Sequence, residues 1–182
     1  MESVMTDITN NVDVEAVNAT VSKLKSDPNA RRAKQTLNGE WNLNDPSKPQ
    51  FASVLKTEKG GEYELLADQP SPQGGNGLAP GPIPYCLYGI AGCFAATLAT
   101  IAALENTKLS KLKVNITADM NMSRVFGLSE EPIMERVTLL VELDLEDGAN
   151  RETLQRLVGL AEQRCPAAYT LTHGTKLEVQ LV

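Results

Sequence analysis

The sequence predicts an α+β domain in which one long helix, buried at the centre, packs against antiparallel strands. Residues 84–104 form an almost uncharged stretch of 21 residues, long enough for a buried helix. Shorter segments on both sides of this stretch alternate apolar and polar residues, which is the pattern of half-buried strands. In chain order the main domain reads β-β-β-α-β-β-α-β, an order typical of the α+β class.

The bulk composition indicates an ordinary globular protein. The chain has 182 residues, of which 42% are hydrophobic and 22% are charged, enough for one domain with a short extension. The net charge of -6 argues against a nucleic-acid partner, which would require a basic surface. The first residues lack the charged start and apolar run of a secretory signal, so we expect a cytoplasmic location and mainly reduced cysteines.

A short amphipathic helix is predicted near the N-terminus. Apolar residues repeat at intervals of three and four from Val14 to Leu24, and Pro28 ends the pattern. We therefore expect residues 1–32 to form an N-terminal helical extension and residues 33–182 to form the main domain.

Three strand-like segments follow, at residues 35–43, 50–57 and 62–67. Gly60 and Gly61 separate the last two segments, and because glycine adopts positive φ without steric cost, they predict a hairpin. Residues 68–84 are rich in glycine and proline, a composition that fits either a linker or an ordered loop. We favour an ordered, functional loop, because the stretch leads directly into the central helix.

The central helix carries one continuous apolar face. Its large apolar side chains fall at steps of three and four residues: Leu87, Ile90, Phe94, Leu98 and Ile101. A membrane span is the alternative interpretation, since about 20 apolar residues cross a bilayer. The interspersed Tyr, Gly and Thr residues and the lack of flanking basic clusters argue against it, so we expect no membrane partner.

Two longer strands, a helix and a final strand complete the domain. Alternation of apolar and polar residues predicts strands at residues 112–118 and 137–145. Asn150 is the expected N-cap of a helix that ends before Pro166. A last strand at residues 175–181 closes the chain.

The three cysteines are the candidate chemical groups. Cys86 and Cys93 lie seven residues apart on one helical face, about 10 Å from each other, so they cannot form a disulfide within an intact helix. Any disulfide partner within the chain must therefore be Cys165. Because Pro166 can start a new helical turn, Cys165 can cap that turn, and N–H groups aimed at a sulfur favour its thiolate.

Other interpretations of these residues stay open. A free cysteine often serves as a small core residue, and for Cys86 we favour this packing role. For Cys93 and Cys165 the spacing alone favours neither packing nor redox chemistry. With His173 the cysteines make up four soft ligands, but their spacing fits no compact zinc pattern, so we expect neither a metal nor a cofactor. His173 itself is expected in a surface turn.

Four features occur in a characteristic order along the second half of the chain: the loop Gly74-Gly75-Asn76-Gly77, Pro82 eleven residues before Cys93, the run Ala91-Gly92-Cys93-Phe94, and the later pair Cys165-Pro166. With these features the sequence resembles the OsmC/Ohr superfamily, the osmotically inducible protein C and organic hydroperoxide resistance proteins. The resemblance covers roughly residues 38–182.

The resemblance implies an OsmC-like intertwined homodimer of curved antiparallel sheets around a long central helix. It also implies a thiol-dependent peroxidase that reduces organic hydroperoxides with electrons from a thiol reductant. By position, Cys93 would be the peroxidatic thiolate, and Cys165 the resolving cysteine that converts its sulfenic acid to a disulfide. An apolar pocket lined by Leu87, Ile90 and Phe94 would suit an alkyl hydroperoxide.

The chain differs from active members of that superfamily at two positions. They carry a glutamate after the loop proline, where this chain has Ile83, and an arginine on an early strand, whereas this chain has no arginine between residues 33 and 123. The arginines that could supply a cation from elsewhere are Arg31, Arg32, Arg124 and Arg136. The alternative hypothesis is therefore an OsmC-fold protein without peroxidase activity, a dimer that binds a small ligand.

Overall fold

The computed structural model describes residues 7–148 and 150–181, and these form an α+β protein, as predicted. The strands among these residues are β1 Ile8–Thr9, β2 Val12–Asp13, β3 Gly39–Trp41, β4 Phe51–Lys56, β5 Glu62–Ala67, β6 Leu109–Met120 and β7 Met134–Leu145. The helices are α1 Val14–Ser26, α2 Pro82–Leu104, α3 Arg151–Arg164 and α4 Pro166–Thr172. The described strands pair in antiparallel sheets of order β1-β2, β3-β4-β5 and β6-β7.

The described residues group into two compact units. The first unit takes in the residues up to Ser26 together with those from Gly89 onward, and the second is Asp27–Tyr88. Apolar side chains of α2, β7 and α3 build the core of the first unit: Phe94, Leu98, Ile101, Leu143, Leu157 and Ala161. Helix α1 confirms the predicted N-terminal helix and groups with this unit, while the boundary between an extension and a main domain at residue 32 stays a prediction.

Helix α2 is buried along only part of its length. By length and composition it could cross a membrane, yet its C-terminal half lies in the core, where Leu98 and Ala102 are fully buried. Tyr88, in the N-terminal half, is 78% exposed. The single chain therefore buries only part of the predicted central helix. The two-stranded β6-β7 sheet and α3 offer too little surface to cover all 23 residues of the helix.

The C-terminal end of α2 is closed by an asparagine in the left-handed conformation. Asn106 has φ 53°, and its N–H donates to the carbonyl of Ala103, while the N–H of Thr107 donates to that of Ala102. This pair of bonds is a Schellman motif, which satisfies the last helical carbonyls. The Asn10 side chain donates a hydrogen bond to the carbonyl of Thr107 at 2.9 Å. This bond connects the turn between β1 and β2 to the segment that follows α2.

In the second unit, the β3-β4-β5 sheet turns an apolar face toward the start of α2. Trp41 and Phe51 are neighbours on adjacent strands of this sheet. The Phe51 ring lies over Gly39, where any side chain would overlap the ring, so glycine is required at this position. The Tyr85 hydroxyl donates to the carbonyl of Leu66 at 2.8 Å and joins the first turns of α2 to β5.

The Gly/Pro-rich loop between β5 and α2 is ordered around a buried carboxylate. Asp68 is 1% exposed, and its Oδ2 accepts hydrogen bonds from the N–H groups of Asn76 at 3.2 Å and Leu78 at 2.9 Å. The Gln50 side chain donates to the carbonyl of Gly74 at 3.2 Å. These bonds hold residues 74–78 against Asp68 and Gln50 and so order the loop. The prediction of an ordered loop rather than a linker is therefore confirmed.

Two of the predicted strands differ from the structure. Strand β3 is shorter than residues 35–43, because the Asn42 side chain accepts a hydrogen bond from the N–H of Asp45 at 3.0 Å and turns the chain. The strand predicted at residues 175–181 is wrong for the single chain. Leu177 and Val179 are 85% and 86% exposed there, and among the described strands β6 and β7 pair only with each other, which leaves this segment without a partner.

The predictions that rest on local backbone rules are confirmed. Gly60 has φ 81° in the hairpin between β4 and β5. The Asn150 side chain accepts a hydrogen bond from the N–H of Thr153 at 2.7 Å and caps α3. In both cases the residue that determines the turn or the cap lies within a few residues of the backbone groups that it affects.

Candidate active site

Cys165 lies in the junction between α3 and α4. It is fully buried, and its sulfur accepts a hydrogen bond from the N–H of Ala168 at 3.5 Å. Its backbone has the extended φ and ψ of an N-cap, and Pro166 supplies the fixed φ that suits the first position of α4. The predicted capping role of Cys165 is therefore confirmed.

Cys93, on α2, lies beside Cys165. It packs against the core cluster that contains Cys165, and the Cys165 side chain and the N–H of Ala167 are close enough to influence the pKa of its thiol. Both cysteines are free thiols, and the fold thus brings together two groups that lie on different helices and far apart in sequence.

The two cysteines differ in exposure. Cys93 is half-buried, whereas Cys165 has no exposed surface. Solvent therefore contacts part of Cys93 and none of Cys165 in the single chain. This difference agrees with the roles implied by the sequence resemblance, which stay predictions.

The surroundings of Cys93 hold it as a thiol. Burial is the largest cause that raises its pKa above the ordinary value for cysteine. The N–H of Ala167 opposes this shift, because it stabilises the thiolate, while the hydrogen bond and charge of Cys165 raise the pKa of Cys93 further. No arginine or lysine of the described residues is among the groups that shift this pKa.

The arginines considered from the sequence have other surroundings. Arg124 pairs with Glu130 at 3.0 Å in the connection between β6 and β7. Arg136 faces Asp119 across the β6-β7 ladder and also lines the cleft described below. Arg31 and Arg32 belong to the second unit, whereas Cys93 and Cys165 belong to the first.

A cleft of about 640 Å³ opens in the first unit, and neither Cys93 nor Cys165 lines it. It reaches Phe94, the residue after Cys93, and Ala168, whose N–H contacts Cys165. Apolar side chains of four elements form most of its wall: Phe94, Val137, Leu139, Val141, Val158 and Leu171. The cleft can therefore hold an apolar organic group, and its wall includes chain neighbours of both cysteines.

Only one of the pocket residues predicted from the sequence lines this cleft. Phe94 does, whereas Leu87 and Ile90 do not, because both precede the part of α2 that packs in the core. The sequence argument missed the contribution of β7, with Val137 and Leu139. The alternation that predicted this strand marks these residues as one face, but it does not show what that face lines.

The remaining candidate residues lie apart from the thiol pair. Cys86 is exposed, so its predicted role as a buried packing residue is wrong: the turn of α2 that carries it lies before the buried part of the helix. His173 is exposed as predicted, and its ring stacks on Tyr169 with centroids 3.9 Å apart. Within residues 7–148 and 150–181, no three His, Cys, Asp or Glu side chains are grouped so as to hold a metal ion.

Comparisons with known proteins agree on one family. Residues 74–180 match the family described as OsmC-like protein. Among solved structures, an OsmC-like protein from Mycoplasma pneumoniae is 19% identical with a TM-score of 0.57, over 78% of this chain and 89% of that chain. An organic hydroperoxide resistance protein OsmC from Legionella pneumophila is 18% identical with a TM-score of 0.53, over 78% of this chain and 93% of that chain.

A third similar structure carries no function in its name. It is an OsmC-like protein of unknown function from Vibrio cholerae, 13% identical with a TM-score of 0.57, over 76% of this chain and 94% of that chain. A search of curated proteins found no match to the sequence. At these identities the solved structures show a shared fold.

Proposed function

The chain belongs to the family of OsmC-like proteins, and on this premise we propose that it is a thiol-dependent peroxidase that reduces organic hydroperoxides through Cys93 and Cys165. One observation carries the proposal. A half-buried thiol on α2 packs against the core cluster that contains a fully buried thiol, more than 70 residues later in the sequence, and burial together with the second thiol raises the pKa of the first. Such a pair has the arrangement that a nucleophile and its resolving partner require.

The reaction balances with these two residues and one dithiol. The Cys93 thiolate attacks the terminal oxygen of the hydroperoxide, the O–O bond breaks, and the alkoxide takes up a proton and leaves as an alcohol. Cys93 is then a sulfenic acid. The Cys165 sulfur attacks the Cys93 sulfur, a disulfide forms, and water leaves. A dithiol reductant returns both cysteines to thiols by disulfide exchange.

The hydrogen bonds of the pair suit each step. The N–H of Ala167 stabilises the Cys93 thiolate before the attack. Because Cys93 packs against the cluster that contains Cys165, the sulfenic acid would form near the thiol that removes it. This proximity limits further oxidation to sulfinic acid.

The test is the intact mass of the denatured, thiol-blocked protein before and after one equivalent of cumene hydroperoxide. We expect the treated protein to carry two fewer blocking groups, with a further loss of about 2 Da for the two hydrogen atoms, and to give one peptide pair that links Cys93 to Cys165. Cys86, which is exposed and outside the pair, remains alkylatable and serves as the internal control. Three thiols that all remain alkylatable after the treatment would contradict the proposal.

We also propose that the protein is a cytoplasmic homodimer without a nucleic-acid or membrane partner. In the second unit, Trp41, Leu55, Tyr63 and Tyr88 are 46%, 41%, 62% and 78% exposed and line an apolar cavity of about 820 Å³. A monomer rarely leaves a patch of this kind open to water. Sedimentation analysis tests the assembly: a single species of 19.7 kDa would show that the protein is a monomer.

A small-ligand-binding dimer without peroxidase activity is the second candidate function. The apolar cavity of the second unit and the raised pKa of Cys93 favour it, because a protonated thiol is a poor nucleophile. Steady turnover of an organic hydroperoxide with a dithiol reductant would exclude this candidate.

A further inference from the structure

The sulfur of Cys165 is closed off from solvent. Cys165 has no exposed surface, whereas Cys93 is half-buried. In thiol–disulfide exchange an incoming thiolate attacks one of the two sulfurs, and access helps to decide which sulfur it attacks. The burial of Cys165 therefore favours attack on Cys93 when a disulfide between the two cysteines is reduced.

The backbone of Cys165 is also held on both sides. Its N–H donates to the carbonyl of Ala161 at 2.8 Å, in the last turn of α3, and its carbonyl accepts from the N–H of Tyr169 at 2.9 Å, in α4. Moving the Cys165 sulfur out to solvent would break the bonds that end one helix and begin the next. Attack on Cys165 would therefore require both helix ends to open.

One hydrogen bond prepares Cys165 to leave as a thiolate. The N–H of Ala168 donates to the Cys165 sulfur at 3.5 Å. Burial disfavours a charged sulfur, but a donor aimed at the sulfur opposes that cost, because its bond to a thiolate is stronger than its bond to a thiol. Cys165 therefore has a donor in place for the charge that it receives when the disulfide opens.

We propose that the reductant of the Cys93–Cys165 disulfide attacks the Cys93 sulfur, and that Cys165 leaves as a thiolate stabilised by the N–H of Ala168. The inference rests on the proposed peroxidase function and specifies the step that restores its thiols. One thiolate of the dithiol forms a bond to the Cys93 sulfur as the bond between the two cysteines breaks, and Cys165 then takes up a proton. The second thiolate attacks the reductant sulfur of this mixed disulfide, Cys93 leaves and takes up a proton, and the reductant becomes a disulfide.

The test locates the mixed disulfide that a monothiol forms. The oxidised protein is exposed briefly to 2-mercaptoethanol, quenched with acid, unfolded in N-ethylmaleimide and digested. We expect the mercaptoethanol adduct on Cys93 and the maleimide on Cys165, with about tenfold more adduct on Cys93 than on Cys165. Equal amounts on the two cysteines, or an excess on Cys165, would overturn the inference.

Ala168→Pro tests the N–H, and Ala168→Gly is the matched control. Proline removes the donor at the third residue of α4, within the first turn, where proline is tolerated, whereas glycine keeps the donor and removes only the methyl group. Reduction of the disulfide by dithiothreitol should slow about tenfold in Ala168→Pro and less than about twofold in Ala168→Gly. Equal rates in the two folded variants would overturn the role of the N–H. If Ala168→Pro does not fold, the adduct on the wild-type protein still decides which cysteine is attacked.

Two oxidants separate this inference from the peroxidase function. The disulfide is prepared once with cumene hydroperoxide and once with diamide, which oxidises dithiols without a peroxidase step. A disulfide that forms with diamide alone would contradict the peroxidase function, and the position of the adduct would still decide the inference. If neither oxidant links Cys93 to Cys165, both are overturned.

Discussion

Cys93→Ser reduces hydroperoxide turnover to the uncatalysed rate, while Cys86→Ser leaves it unchanged. We expect this result because a thiolate attacks peroxide oxygen, whereas a serine hydroxyl stays protonated and unreactive at neutral pH. Cys86 is the matched control: it has the same side chain on the same helix, seven residues earlier, but it is exposed and lies outside the pair. The measurement is the consumption of cumene hydroperoxide in the presence of a dithiol.

Cys165→Ser separates the two steps of the same reaction. This variant keeps the Cys93 nucleophile, so it should reduce one equivalent of hydroperoxide and then accumulate a sulfenic acid that a sulfenic-acid reagent labels at Cys93. Because Cys165 is fully buried, thermal unfolding of each variant shows whether lost activity comes from lost structure. Full activity in a folded Cys93→Ser protein, or loss of activity in Cys86→Ser, would place the chemistry elsewhere.

The sequence was sufficient for the parts of the fold that short-range rules determine. Asn150 caps α3 and Cys165 caps α4, as predicted from the residues that follow each of them. The hairpin at Gly60 and strands β6 and β7 agree with turn chemistry and alternation. In each case the interacting groups are close in sequence, so a short stretch of sequence includes every group that forms the cap, turn or strand pattern.

The predictions that failed concern burial or strand pairing, which depend on contacts with residues far away in the sequence. The apolar pattern of α2 does not change between Cys86 and Phe94, yet the first is exposed and the second is buried. The segment at residues 175–181 has the alternation of a strand, but a strand forms only where another strand offers hydrogen bonds. The proximity of Cys93 and Cys165 is also long-range: helix geometry left Cys165 as the only possible disulfide partner within the chain, and the family resemblance implied the pairing.

Peroxide reduction by this protein should rise steeply with pH. The raised pKa of Cys93 means that most molecules carry a thiol at pH 7, and the thiolate fraction grows about tenfold for each pH unit below that pKa. The rate of the first turnover, measured by stopped flow, should therefore increase by more than about tenfold between pH 7 and pH 9 without reaching a plateau. For a thiol with an unshifted pKa, the rate stops rising once the pH reaches that pKa. Because the pKa of Cys93 is raised, its rate should keep rising to a higher pH.

Cys165→Ala provides the matched comparison for the cause of this pH dependence. Alanine cannot accept the hydrogen bond from the Cys93 thiol, so one cause of the raised pKa disappears while burial remains. The pKa of Cys93 should fall, and the first-turnover rate of the variant at pH 7 should exceed that of the wild-type protein. A wild-type rate that is constant from pH 7 upward would contradict this account. It would mean that Cys93 is already a thiolate at pH 7, and its charge would then require a cation that the described part of the single chain does not place beside it.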